Sequence, residues 1–279
     1  MMIVIIQRVL NNNAVSCLDQ NGEEVIVKGK GIAFKASPGD VVDESKIESK
    51  FILADQKINR RYQEIIVHIP DDCIETGEAI IEMIKRCFKP KISDNIYVTL
   101  TDHISNLLER TRLGIIFDND VLWDVKRMYK EEYRLGLKAV DIIREKLDIK
   151  VEDNEANLIA LHIVNAELDV EIKDVYAITG MIDQIYKLIK ARFNLAIDEE
   201  DLDYTRFVLH LRFFFERLIH RTELAEEKNE DLLVIMKNKY PRQYECVKEI
   251  INIVGGKYKN EVTSDETLYL LIHVIKLTS

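Results

Sequence analysis

Several devices of small-molecule chemistry are missing from this chain. It has no Gly-x-Ser-x-Gly element to expose a nucleophile and no glycine-rich loop to cradle a nucleoside triphosphate. The four cysteines, Cys17, Cys73, Cys87 and Cys246, stand far apart, which excludes a metal knuckle and a secreted disulfide framework and fits a reduced, cytoplasmic setting. Prolines number only 4 in 279 residues, so long helices can run uninterrupted. No apolar run approaches a membrane span; the opening stretch Met1 to Ile6 is six residues long with no basic region before it, and reads as neither signal nor anchor.

Positive charge is also scarce. Lysine and arginine total 39 against 49 acids, a net charge of −10, which excludes a chain that grips nucleic acid by bulk electrostatics. Any RNA or DNA contact must come from a local surface. What is present is a 47% hydrophobic and 32% charged composition, ample for packed cores, over a length that suits two or three domains and no membrane insertion.

The first 56 residues differ from the rest. Short β-branched or alternating runs (Ile3 to Leu10, Ala14 to Leu18, Glu23 to Val27, Ile32 to Phe34) are separated by turn formers: Asn11-Asn12-Asn13, Asp19 to Gly22, Gly29-Lys30-Gly31 and Ser37 to Asp40. That spacing predicts a small antiparallel β unit. Fewer than about 60 residues give a thin core, so such a unit is expected to dimerise. Two turns suit more than chain reversal. The asparagine triplet offers three amides for base or phosphate edges, and Gly29-Lys30-Gly31 presents a cation near Phe34, an aromatic able to stack on an unpaired base. The alternative is that the asparagines and glycines only turn the chain and Phe34 is core. Residues 1 to 35 hold four cations (Arg8, Lys28, Lys30, Lys35) and three acids, so shape and stacking must matter beside charge.

From about residue 57 the apolar period becomes helical, with a break at His68-Ile69-Pro70-Asp71-Asp72 and with Val121 to Leu147 reading as one amphipathic segment. The helical part is a repeat. Tyr97 and His103 recur as Tyr204 and His210, 107 positions on; Tyr129, Tyr133, Glu155 and His162 recur as Tyr240, Tyr244, Glu266 and His273, 111 positions on. One loop-length change reconciles the two offsets. The predicted fold class is therefore multidomain, β followed by all-α: a β unit with its linker over 1–60, then two homologous helical-bundle domains over 61–171 and 172–279.

Four of the six histidines fall on the repeat: His103, His162, His210 and His273. Each has a large apolar residue three positions earlier, as a buried structural histidine would, yet tyrosines, threonines and acids crowd the same segments, and each domain carries a pair able to converge in one cleft. Metal ligation is one use for paired imidazoles, but the usual Glu-x-x-His and His-x-x-x-His spacings are absent. Phosphoryl acceptance fits better: a neutral imidazole is a nucleophile near neutral pH, and the adduct adds about −1.5 to −2 charge, enough to repack an interface. Asp102, Glu155 and Glu266 are candidates to orient the rings.

Arg8 to Asn13 with Gly29 to Phe34 resemble the RNA-binding domain of the BglG/LicT-type bacterial transcription antiterminators. Ile96 to His103 and Ile159 to Glu167 look like that family's first PTS-regulation domain, and Tyr204 to Leu211 and Ser264 to His273 like its second. The resemblance spans the whole chain in the family's order. It implies a non-enzymatic, cofactor-free regulator whose dimeric β domain binds an antiterminator hairpin in a leader mRNA and so prevents the overlapping terminator from forming. It implies RNA contacts at Arg8, Asn13, Gly29, Lys30 and Phe34, with Lys30 standing where the family pattern has arginine. It implies phosphorylation at His103 and His162 by a sugar-specific PTS transporter (enzyme II), inhibiting, and at His210 and His273 by the phosphocarrier protein HPr, activating. The competing reading is a helical metal or small-ligand sensor, with histidine ligands, fused to a dimeric β module; a DNA-binding regulator lacks the helix-turn-helix it would need.

Overall fold

The structure is a computed structural model that describes residues 5–18, 22, 24–51, 55–115, 125–195, 202–220, 229–258 and 262–278. A four-stranded antiparallel sheet in the order β1-β2-β3-β4 comes first: β1 Ile5–Asn11, β2 Ala14–Leu18, β3 Glu24–Lys28 and β4 Ser49–Phe51. The rest of the chain is helical: α1 Gln56–Ile66, α2 Asp71–Cys87, α3 Asn95–Arg112, α4 Val125–Met128, α5 Lys130–Leu147, α6 Glu155–Leu168, α7 Ile172–Phe193, α8 Leu202–His220, α9 Glu230–Lys239, α10 Pro241–Tyr258 and α11 Ser264–Thr278. Among the described residues no helix is long and apolar enough to cross a membrane.

Contacts divide the chain into two compact units. The first comprises Met1–Asp118 with Glu132–Asp169, and the second Asn119–Glu131 with Val170–Ser279. In the first, the sheet buries both faces. One face (Ile6, Val15, Cys17, Val25, Val27) closes over Ile32, Ala33 and Val42. The other contributes Leu10, Ala14 and Ile26 to the core formed by α1, α2, α3, α5 and α6.

Two expected features differ. Ile32 to Phe34 is a run of turns, not a strand: Gly31 and Lys35 have φ of +64° and +60°, and Ile32, Phe34 and Ala36 N–H groups each bond back three residues, to Gly29, Gly31 and Ala33. A left-handed residue at each end cannot continue a ladder. The fourth strand is instead Ser49–Phe51, too short to show an alternating pattern. The segment expected as one helix over 121–147 is α4 and α5 with Tyr129 between them, residues 121–124 lying outside the described residues. The same break recurs between α9 and α10 at Tyr240, where Pro241 keeps the preceding residue out of the helical region (φ −127°, ψ 59°).

Local chemistry sets the ends. Asp55 caps α1 by accepting from Lys57 and Ile58 N–H, at 2.6 and 3.2 Å. Pro70 precedes α2, whose first turn holds Asp71 and Asp72, favourable against the helix dipole. Asp169 and Asn194 end α6 and α7 in the left-handed conformation. Gly136 lets α5 lie against α6: a Cβ there would stand 2.4 Å from the Ala156 carbonyl oxygen. Gly136→Ala is expected to force the two helices apart and to destabilise the protein by about 1–3 kcal/mol, read as a lower urea midpoint at unchanged slope.

Candidate functional site

The two turns singled out in the first 60 residues meet in space. Asn12 and Asn13 form the reversal between β1 and β2, and Asn13 N–H donates to Asn11 Oδ1 at 2.9 Å. The second turn is bound directly onto it: Gly29 N–H donates to the Asn13 carbonyl at 3.0 Å, Ala33 N–H to the Asn12 carbonyl at 3.1 Å, and Gly31 N–H to Asn13 Oδ1 at 2.7 Å. Gly29 is obligatory because a Cβ would fall 1.7 Å from the Lys46 carbonyl oxygen. Lys30 is exposed and Phe34 is 66% exposed, so Phe34 is not core. Arg8, also exposed, sits on β1 opposite Ser16 rather than in the turns.

The asparagines also face a helix. Asn11 and Asn13 each donate an Nδ2 hydrogen to Asp71 at the start of α2, at 3.0 and 2.5 Å. Nearby Lys28 is withdrawn from the surface: its ammonium lies 2.8 Å from Glu78 on α2, which also accepts from the Tyr62 hydroxyl at 3.2 Å. Burial pushes the Glu78 carboxyl up despite the ammonium beside it. Of the four cations in residues 1 to 35, Lys28 is thus committed internally.

In each unit the two repeat histidines come together. The rings of His103 on α3 and His162 on α6 have centroids 4.8 Å apart, and those of His210 on α8 and His273 on α11 stack at 4.6 Å. Beside each pair lies an arginine that sequence reasoning missed. Arg110 donates to Glu155 at 3.0 Å, and Arg217 to Glu266 at 3.2 Å, both glutamates being almost fully buried. Both arginines follow the first histidine of their pair by seven positions, two helical turns, so each stands on the histidine's face. That repeated spacing was the available signal.

The carboxylates do not all act as expected. Asp102 points away from the pair and accepts from Asn106 at 3.2 Å, so it does not orient His103. Glu155 does: its Oε1 lies 2.9 Å from His103 Nε2, on the facing helix rather than on its own. Burial raises the Glu155 carboxyl, but His103 and Arg110 together outweigh it and hold it below the ordinary range. In the second unit Glu266 Oε2 closes the start of α11, accepting from Thr263 N–H at 3.0 Å.

The histidines of the second unit, and His162 in the first, are held neutral. Burial, then His273 and Arg217, bring His210 down to about 4. Burial first, then Lys276, lowers His273, and burial with His103 puts His162 well below its usual value. An unprotonated ring keeps a lone pair for attack or ligation at neutral pH. Among the described residues no group of three or more His, Cys, Asp or Glu side chains is placed to hold a metal ion.

A depressed histidine binds its proton more readily once unfolded, so its stabilisation is fully present above the ordinary value near 6.5 and is lost as pH falls toward the folded value. For His210 that window runs from about 6.5 down to about 4. Thermal melting should therefore shift downward across this window, and His210→Gln should show a shallower pH slope than the wild type.

A family model described as the CAT RNA binding domain matches residues 4–60, and one described as the PRD domain matches twice, over 78–166 and 183–277. The transcription antiterminator LicT of Bacillus subtilis is 40% identical over 269 residues, covering 96% of this chain and 97% of the relative. The beta-glucoside operon antiterminator of Dickeya chrysanthemi is 36% identical over 274 residues, covering 98% and 96%. The crystal structure of GlcT CAT-PRDI is similar with a TM-score of 0.50 and 28% identity, over 59% of this chain and 98% of that one. A CAT RNA-binding domain followed by two PRD domains, at full length against curated antiterminators, makes this chain a member of the transcription antiterminator family.

Proposed function

We propose that this protein is a sugar-responsive antiterminator that binds a hairpin in a leader mRNA as a homodimer and is switched by phosphorylation of its histidine pairs. The domains are read as 1–60, 61–171 and 172–279. The observation that carries the switch is the histidine pair found twice, each time beside an arginine and a buried glutamate at the same place in the repeat. HPr is the donor proposed for His210 and His273, and the sugar-specific enzyme II the donor proposed for His103 and His162. Phosphate on the second pair activates and phosphate on the first inhibits.

For RNA, the joined turns supply the contact surface: Phe34 stacks on an unpaired base, Lys30 contacts phosphate and the Asn13 amide contacts a hairpin strand, while Gly29, itself buried against the Lys46 carbonyl, acts by holding the turn that presents Lys30. Arg8 adds charge from β1. One Asn13 Nδ2 hydrogen is bound to Asp71, and RNA that uses that hydrogen must displace a carboxylate.

Phosphate transfer from labelled phosphoenolpyruvate through the PTS carriers onto the full chain tests the switch. Acid-labile label is expected, reduced selectively in His210→Ala or His273→Ala when HPr is the donor. Absence of label with active carriers would sink the reading. Hairpin binding by Phe34→Ala is expected to weaken by about 1–3 kcal/mol, the worth of one base stack, with the salt dependence unchanged. An unchanged affinity would remove Phe34 from the interface.

A further inference from the structure

Arg217 is placed as an acceptor of charge as well as a partner of Glu266. Its guanidinium has five N–H donors, and one Nη2 contact goes to Glu266 at 3.2 Å. Its Nε is buried without a hydrogen-bond partner among the described residues, and so is Nε2 of His210. A buried donor left unpaired is costly, and its persistence beside an equally unpaired imidazole nitrogen marks a place built for a group not yet there. A cavity opens at this point, lined by His210, Phe213, Glu216, Arg217 and His220, with about 430 Å³ of room, enough for a phosphoryl group and several waters.

We propose that Arg217 is the positioning residue for the phosphoryl group of the second unit: when phosphate is on the histidine pair, Arg217 exchanges the Glu266 carboxylate for phosphate oxygens. This rests on the phosphorylation reading above. In the transfer itself a ring nitrogen of the acceptor histidine attacks phosphorus. The bond from phosphorus to the donor breaks, the donor leaves with that electron pair, and the acceptor ring gives up its N–H proton to the leaving donor or to water. The new group carries more negative charge than a carboxylate and three acceptor oxygens, and the planar fork of arginine matches two of them at once. Glu266 is not orphaned by the exchange, because Thr263 N–H and Oγ1 remain on its Oε2 at 3.0 and 3.3 Å. Glu216, at the cavity wall, opposes a bound phosphate, so the site favours the anion only when Arg217 turns to it. The exchange would also loosen the tie between α8 and α11 that the Arg217–Glu266 pair supplies, which gives the modification a direct mechanical outlet.

The test is the yield and lifetime of acid-labile label placed by phosphorylated HPr on the full chain, in the wild type, Arg217→Gln, Arg217→Lys and Glu266→Gln, with melting curves confirming folding. Loss of a charge-assisted contact to phosphate predicts about tenfold or more lower yield or faster label loss in Arg217→Gln, with partial retention in Arg217→Lys. Glu266→Gln should hold its label at least as long as the wild type, since its arginine is released to the phosphate. If Arg217→Gln keeps the wild-type yield and lifetime, or if Arg217→Gln and Glu266→Gln are equally impaired, the arginine serves only the ion pair and the proposal is overturned. A wild type that takes no label overturns the phosphorylation reading itself, a separate failure.

Discussion

The buried arginine–glutamate pair is the constraint on which each helical unit turns. A carboxylate removed from water must find a cation or several donors, and removing one partner of such a pair costs about 3–5 kcal/mol. Glu155 and Glu266 meet that need across two helices, from Arg110 on α3 and Arg217 on α8. The pair therefore fixes the register of α3 on α6 and of α8 on α11. Since each arginine lies two turns beyond a histidine and each glutamate seven residues before another, the same register brings the two imidazoles within stacking distance. The site is a by-product of satisfying the charge.

The two units satisfy the same pattern differently. In the first, Glu155 also reaches His103, so one carboxylate serves an arginine and an imidazole. In the second, the corresponding glutamate spends its second oxygen on Thr263 N–H, at the start of its own helix. The second unit also holds the short α4 segment by aromatic contacts: the Arg127 guanidinium lies 4.3 Å from the Tyr186 ring centroid, the Tyr129 hydroxyl meets Thr179 Oγ1 at 3.1 Å, and Arg212 lies over Tyr129 at 4.8 Å. Of these, Tyr129 carries the repeat in sequence, and it packs at the junction of α4 and α5.

Much of this was legible in the chain. The change of period near residue 57 gave the β-then-α order, and the offsets of 107 and 111 gave the duplicated histidines. What escaped has physical causes. Ser49–Phe51 is three residues with one aromatic, below the length at which alternation is visible. Ile32 to Phe34 has strand composition, but its conformation is imposed by left-handed Gly31 and Lys35, which local apolarity does not encode. The arginines were hidden because they look like solvated cations in a charged helix, and only burial of their glutamates, a tertiary fact, reveals their role.

The Asn13 side chain divides its amide between two neighbours: its oxygen takes Gly31 N–H and its nitrogen gives to Asp71. This fixes the amide orientation without ambiguity and has a consequence for how the sequence can drift. Aspartate at position 13 would keep the acceptor but set carboxylate against carboxylate, while asparagine at position 71 is tolerable only with one amide turned to match. Positions 13 and 71, 58 residues apart, are therefore coupled in packing, and a change at one is costly unless it is matched at the other.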